Sequence, residues 1–201
     1  MVKKTDRPRG RPRSFDEDEA IHRATDVFWA KGFDAATIDD LVEAMGVRRP
    51  SLYAIFGDKA TLFVRCLEAY HKRFGKIAME ALHAPEDVHS ALRSLLRVSV
   101  ENATGDGLAL GCLFICVAPV VDDEHVRAYL ARIASEVTAS VAKRLHQGVA
   151  SGELPEDFPC ERRACVAMDV SRGLVLRARI GVSREELLKD ADEAISLILS
   201  H

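Results

Sequence analysis

The sequence predicts an all-α protein, in which an N-terminal three-helix domain containing a helix-turn-helix precedes a larger helical domain, with about nine helices in total. Two observations predict this fold class. Apolar residues recur at spacings of three and four along nearly the whole chain, and almost no stretch alternates with a period of two. Glycine and proline separate these periodic segments from one another. The chain is therefore expected to be a bundle of amphipathic helices without a sheet.

The basic residues are concentrated at the start of the chain. Residues 1–76 contain 15 Lys and Arg against 12 Asp and Glu, whereas residues 77–201 contain 13 against 19. Residues 1–13 have little apolar content, and we expect them to be a flexible basic arm. A basic arm on a mildly acidic body favours a polyanion as the partner at one end of the molecule.

The first three helices are predicted from their end signals. Ser14 and Glu17 have the spacing of a capping box, and Gly32 is a natural stop for the helix that follows. Thr37 begins a second helix that ends at Gly46, and Pro50 suits the first turn of a third. Two short helices joined by a glycine-containing turn constitute a helix-turn-helix, which we assign to a domain spanning residues 14–60.

The rest of the chain has the pattern of six longer helices. Proline or glycine lies at or near most of their ends, as in Pro85, Pro119 and Gly181. The predicted helices run over residues 59–84, 86–103, 108–119, 123–148, 159–180 and 184–199.

The segment TIDDLVEAMGVRRPSLYAIFGDK at residues 37–59 closely resembles the DNA-binding signature of the tetracycline-repressor (TetR/AcrR) family. The resemblance covers residues 14–65 and departs from the family pattern at Arg48 and at the pair Ala54 and Ile55. It implies a sequence-specific transcriptional repressor that binds a palindromic double-stranded DNA operator. It also implies that residues 61–201 form an effector-binding and dimerisation domain, with self-association through helices 159–180 and 184–199.

The residue types of this segment suit DNA. Arginine reads guanine through two hydrogen bonds in the major groove, so Arg48 or Arg49 is expected to select a base. Thr37 and Lys59 are expected to bind phosphates, which positions the protein without reading sequence. The remaining contacts are expected from the third helix, at Pro50, Ser51 and Tyr53.

Arg9, Arg11 and Arg13 form the sequence RGRPR, which resembles the core of an AT-hook. Such an extended basic peptide lies in a narrow A/T-rich minor groove. Because it directly precedes the helix-turn-helix, we interpret it as a minor-groove arm. An architectural A/T-rich DNA-binding protein without a regulated pocket is a second interpretation of the same features.

The most hydrophobic run of the chain, residues 110–119, is interpreted either as a buried helix or as the wall of a pocket for a small apolar or aromatic effector. The pocket interpretation assigns eight residues to that wall: Phe74, Cys112, Leu113, Cys116, Val117, Tyr129, Ile133 and Met168. Cys112 and Cys116 share a helical face, which leaves thiol or redox sensing as an alternative trigger.

Several classes of protein are disfavoured by the sequence. The chain lacks the common catalytic motifs GxSxG, HExxH, GxGxxG and the P-loop, so we expect no enzymatic activity. Its five cysteines include no CxxC pair, and no metal or cofactor is expected. No apolar run approaches the roughly 18 residues of a membrane span. We therefore expect a protein of the cytoplasm that does not enter a membrane.

Overall fold

In a computed structural model the protein is all-α, and the residues described are 16–105 and 110–200. Their helices occur in the order α1 (Glu17–Lys31), α2 (Ile38–Met45), α3 (Arg49–Phe56), α4 (Lys59–Tyr70), α5 (Lys76–His83), α6 (Val88–Ala103), α7 (Leu113–Cys116), α8 (Glu124–Ala150), α9 (Cys160–Arg179) and α10 (Arg184–Leu199). A π-helical turn, His71–Gly75, joins α4 to α5, so the two form one continuous helix and the described residues contain nine helices. The predicted fold class is confirmed.

The helix ends follow the predicted chemistry in α2 but not in α1. Thr37 accepts the N–H of Asp40 at 3.1 Å and donates its own N–H to the Asp40 carboxylate at 3.0 Å, which completes a capping box. Gly46 ends α2 in the left-handed conformation, with φ of 67°. The predicted Ser14 cap lies outside the described residues, and α1 instead begins after Asp16, whose side chain accepts the N–H of Glu19.

The long helix predicted over residues 108–119 is wrong. The described part of this run contains the single helical turn α7 and a 3₁₀ turn, Ala118–Val120. Gly111 has a φ of 93°, and a Cβ at that position would lie 2.7 Å from the Cys116 Sγ atom. The chain therefore turns sharply at Gly111, where a helix cannot continue.

Two apolar cores hold the helices together. One core lies between α6, α8, α9 and α10. The other begins among α1 to α4, where Phe28 and Phe63 meet edge to face with ring centroids 4.8 Å apart, and it continues without a break to Leu113 and Tyr129. Helix α4 is therefore shared, so the helix-turn-helix and the larger helical body pack as neighbours through it.

Across the residues described, no helix is both long and apolar enough to cross a bilayer.

Candidate functional site

The helix-turn-helix presents the N-terminal end of α3 to solvent. Leu52 and Phe56 anchor this helix in the core, whereas its other positions face outward. The predicted contact residues on and beside α3 are all exposed: Arg48, Arg49, Pro50, Ser51 and Tyr53. No side chain caps the N-terminus of α3 at Arg48, so backbone N–H groups of its first turn remain available to an anion.

Arg49 carries a partner that the sequence did not indicate. Its guanidinium donates to the Asp39 carboxylate on α2 at 2.6 Å, and both side chains are largely exposed. The pair holds the guanidinium beside the first turn of α2. Because an exposed ion pair contributes only about 0–1 kcal/mol, Arg49 can exchange Asp39 for a base edge or a phosphate at little cost.

Thr37 and Lys59 lie before and after α3 in the chain: Thr37 caps the N-terminus of α2, and Lys59 begins α4. Asp40, which completes the Thr37 cap, also receives the Lys31 ammonium at 2.7 Å, and these hydrogen bonds lower the pKa of Asp40 to about 2. The Lys59 ammonium donates to the Asp34 carbonyl oxygen at 3.3 Å and lies 4.6 Å from the centre of the Phe33 ring. Both predicted phosphate ligands are thus accessible and held by neighbours. The arm residues Arg9, Arg11 and Arg13 lie outside the described residues.

A cavity of about 500 Å³ lies in the larger helical body, next to the π-helical turn. This volume is within the range of pockets that hold small-molecule ligands. Four of the eight predicted pocket residues line the cavity: Phe74, Cys112, Ile133 and Met168. The other four, Leu113, Cys116, Val117 and Tyr129, are not among the lining residues and pack into the surrounding cores.

The cavity also has polar lining residues that the sequence did not indicate. They come from helices far apart in the chain: Tyr70, His71, Ser99, Asn102, Ser171 and Arg172. The Ser171 hydroxyl donates to the Ser99 hydroxyl at 3.2 Å, which joins α9 to α6 at the wall. No spacing pattern marks these residues, because the cavity assembles only when distant helices meet.

Burial controls the ionisation of several cavity groups. It raises the pKa of the Cys112 thiol and lowers the pKa of the His71 imidazole, because in each case the charged form loses hydration. The nearby Glu136 and Arg132 act on His71 in opposite directions. Cys112 is therefore held as the neutral thiol, which disfavours the thiolate chemistry that a reactive cysteine needs.

An all-α body behind a helix-turn-helix with an exposed α3 is the architecture of a DNA-binding regulator. Comparison with protein families agrees: residues 20–66 match the family model "Bacterial regulatory proteins, tetR family", and residues 88–192 match "Tetracyclin repressor-like, C-terminal domain". The chain therefore belongs to the TetR family of bacterial regulatory proteins. It is a DNA-binding transcription factor and not an enzyme.

Its relatives include two repressors of Escherichia coli K12. The chain is 32% identical to the HTH-type transcriptional repressor ComR over 192 residues, which cover 94% of this chain and 91% of ComR. It is 32% identical to the HTH-type transcriptional repressor BdcR over 206 residues, which cover 99% of this chain and 98% of BdcR. Among solved structures, a cysteine-substituted CifR bound to a 26-base-pair operator is 36% identical with a TM-score of 0.85, covering 92% of this chain and 98% of that one.

Proposed function

We propose that the protein is a transcriptional repressor that binds a near-palindromic operator as a homodimer and is released when a small molecule occupies its cavity. The ComR and BdcR names and the operator-bound CifR structure support the DNA-binding part of this proposal. The effector-controlled part rests on one observation. Tyr70 lines the cavity and also belongs to the core that holds the helix-turn-helix.

Tyr70 connects the two regions through ring contacts. Its ring meets Trp29 of α1 edge to face with centroids 5.4 Å apart, and on its other side it lies 4.5 Å from Phe74 and 5.9 Å from Phe114. Phe74 and Phe114 line the cavity, whereas Trp29 belongs to the helix-turn-helix domain. A ligand that displaces Phe74 or Phe114 would press on Tyr70 and so on the helices that carry α3. Such a ligand changes operator affinity only to the extent that it binds the displaced arrangement of these rings more tightly than the original arrangement.

DNA contact is proposed for the exposed end of the helix-turn-helix. Arg48 and Arg49 would read base edges together with Pro50, Ser51 and Tyr53 of α3, while Thr37 and Lys59 would bind phosphates on either side. Arg9, Arg11 and Arg13 would add minor-groove contacts ahead of α1. The described members of this set are exposed except for the half-buried Lys59, and this exposure supports the assignment together with the capped, glycine-ended α2.

Self-association is proposed through α9 and α10, because both helices leave large apolar side chains in solvent. Leu176 is 52% exposed, Ile180 74% and Leu197 67%. Gly173 lies on the same stripe of α9 as Leu176, which continues to Ile180 at the C-cap, and a Cβ added at Gly173 would meet nothing within 4 Å. A glycine inside a helix costs about 0.5–1 kcal/mol relative to alanine, and its lack of a side chain permits close approach of a partner helix.

Filling the cavity tests the proposed control without a known effector. Ala134 of α8 lines the cavity, and we expect Ala134→Phe to mimic an occupied state and to weaken operator binding at least tenfold. Ala139→Phe is the matched control, since Ala139 is an exposed residue of the same helix. Operator affinity is measured by fluorescence anisotropy, and circular dichroism checks that both variants fold. Equal operator affinities for wild type and both variants would contradict control through the cavity.

Thiol-triggered release is a second candidate, favoured by the position of Cys112 in the cavity wall. The raised pKa of its thiol opposes this role. Cys112→Ser separates the candidates: it would abolish release by hydrogen peroxide if the thiol is the trigger. Under the leading proposal, peroxide does not release wild-type protein from the operator.

A further inference from the structure

Two uncharged polar side chains of the cavity wall have no hydrogen-bond partner within the described residues. These are the Asn102 amide of α6 and the His71 imidazole of the π-helical turn, and both are half-buried. Both residues line the cavity, and their polar atoms are not among the fully buried, unpartnered atoms of the described residues. A Cβ at Gly75 would lie 2.6 Å from the imidazole ring, so this glycine allows His71 to fold against its own helix.

Both groups can donate and accept hydrogen bonds. The Asn102 amide offers one acceptor oxygen and two donor hydrogens, and a neutral imidazole offers one donor and one acceptor. The neutral form of His71 is favoured because burial lowers its pKa. A ligand group that also donates and accepts, such as a hydroxyl or an amide, is therefore the natural complement of this wall.

The permanent charge in the cavity wall is already paired with a carboxylate. Arg172 supplies the permanent charge among the described lining residues, and its guanidinium donates to Asp169 of the same helix at 2.7 Å. The wall is otherwise dominated by apolar side chains, including Phe74, Met79, Phe114, Ile133, Val137 and Met168. A cation entering such a cavity loses hydration and meets no lining carboxylate among the described residues, and an anion loses hydration and must compete with Asp169 for Arg172.

We propose that the effector is an uncharged, largely apolar molecule with hydroxyl or amide groups that hydrogen-bond to Asn102 and to His71. This inference rests on the proposed function in taking the cavity as the effector site. It goes further by assigning the charge and the polar group of the ligand. Asn102 and His71 then select among apolar molecules that fit the same volume.

Two fluorescent probes with the same aromatic skeleton test whether the cavity prefers an uncharged ligand. N-phenyl-1-naphthylamine is neutral, and 8-anilino-1-naphthalenesulfonate carries an added sulfonate. We expect the full-length protein to bind the neutral probe at least tenfold more tightly. Ala134→Phe should weaken binding of the neutral probe at least tenfold, and Ala139→Phe should leave it unchanged. These titrations contain no DNA, so failure of effector-controlled release would leave their outcome intact.

Asn102→Leu tests the polar contact with a side chain of similar size. The loss of a hydrogen bond of about 0.5–1.5 kcal/mol predicts roughly twofold to twelvefold weaker binding of the neutral probe, whose N–H can donate to Asn102. Unchanged binding by a folded Asn102→Leu variant would overturn the role of Asn102. Equal or tighter binding of the sulfonate probe, lost in Arg172→Gln, would overturn the proposal and assign an anion site. Failure of wild type to bind the neutral probe would overturn it as well.

Discussion

Replacing Arg49 by alanine should relax base selection at one position in each half-site. A bidentate contact between arginine and guanine discriminates by about 1–3 kcal/mol. In the free protein the guanidinium already donates to Asp39 at 2.6 Å, and surrendering an exposed pair of this kind costs about 0–1 kcal/mol. The net free energy of base discrimination is therefore about 1.5 kcal/mol per half-site, or about 3 kcal/mol for a dimer. Its loss in Arg49→Ala corresponds to roughly a hundredfold loss of discrimination.

The assay is fluorescence anisotropy with operator duplexes at one fixed salt concentration. Wild type and Arg49→Ala are each titrated with the operator and with duplexes in which one base pair is changed symmetrically in both half-sites. Lys59→Ala provides the contrast, because a lost phosphate contact should weaken binding to all duplexes alike. It should also reduce the slope of log affinity against log salt concentration by about one per subunit.

Base reading by Arg49 would be refuted if Arg49→Ala and Lys59→Ala gave the same profile of affinities across the duplexes. A uniform loss in both variants would mean that Arg49 binds phosphate and that base selection depends on other side chains. Asp39→Asn adds a check on the ion pair: releasing Arg49 in both subunits should change operator affinity by less than about thirtyfold, since each exposed pair contributes about 0–1 kcal/mol.

Three further predictions concern stability and reactivity. Phe63 is fully buried between the rings of Phe28 and Phe33, so Phe63→Ala should lower the free energy of unfolding by about 3–5 kcal/mol in urea denaturation. The pKa of Asp40 is about 2, below its ordinary 3.8, so its stabilising effect is present above about pH 4 and is lost as pH falls towards 2. The difference in melting temperature between wild type and Asp40→Ala should therefore shrink between pH 5 and pH 2, and a constant difference would contradict this. Because burial raises the pKa of the Cys112 thiol, iodoacetamide at pH 7 should leave Cys112 unmodified in the folded protein, as judged by peptide mass spectrometry.

Local signals made the helix-turn-helix predictable from the sequence. Thr37 with Asp40 and the left-handed Gly46 set both ends of α2 by contacts within a few residues, which a spacing pattern captures. The run around Gly111 does not form the helix that its local pattern predicts. Its apolar residues pack against two different cores, and a glycine with positive φ interrupts the helix that their hydrophobicity suggested.

The cavity was predictable only in part, because it depends on tertiary packing. Phe74 and Met168 could be chosen as apolar residues on helices expected to face inward. Asn102 and His71 gave no such signal, since a polar residue on an amphipathic helix usually faces solvent. The Arg49–Asp39 pair was missed for a related reason, because it bridges ten residues across the turn between α2 and α3.

Selection from a random-sequence DNA library tests whether the protein recognises a symmetric operator. The full-length protein is used to enrich bound duplexes over several rounds at fixed salt, and the recovered sequences are aligned. A dimeric helix-turn-helix repressor should enrich a near-palindrome whose half-sites are centred about one helical turn, or a multiple of it, apart. Recovery of A/T-rich sequences without symmetry or a shared motif would contradict the account and favour an architectural DNA-binding protein.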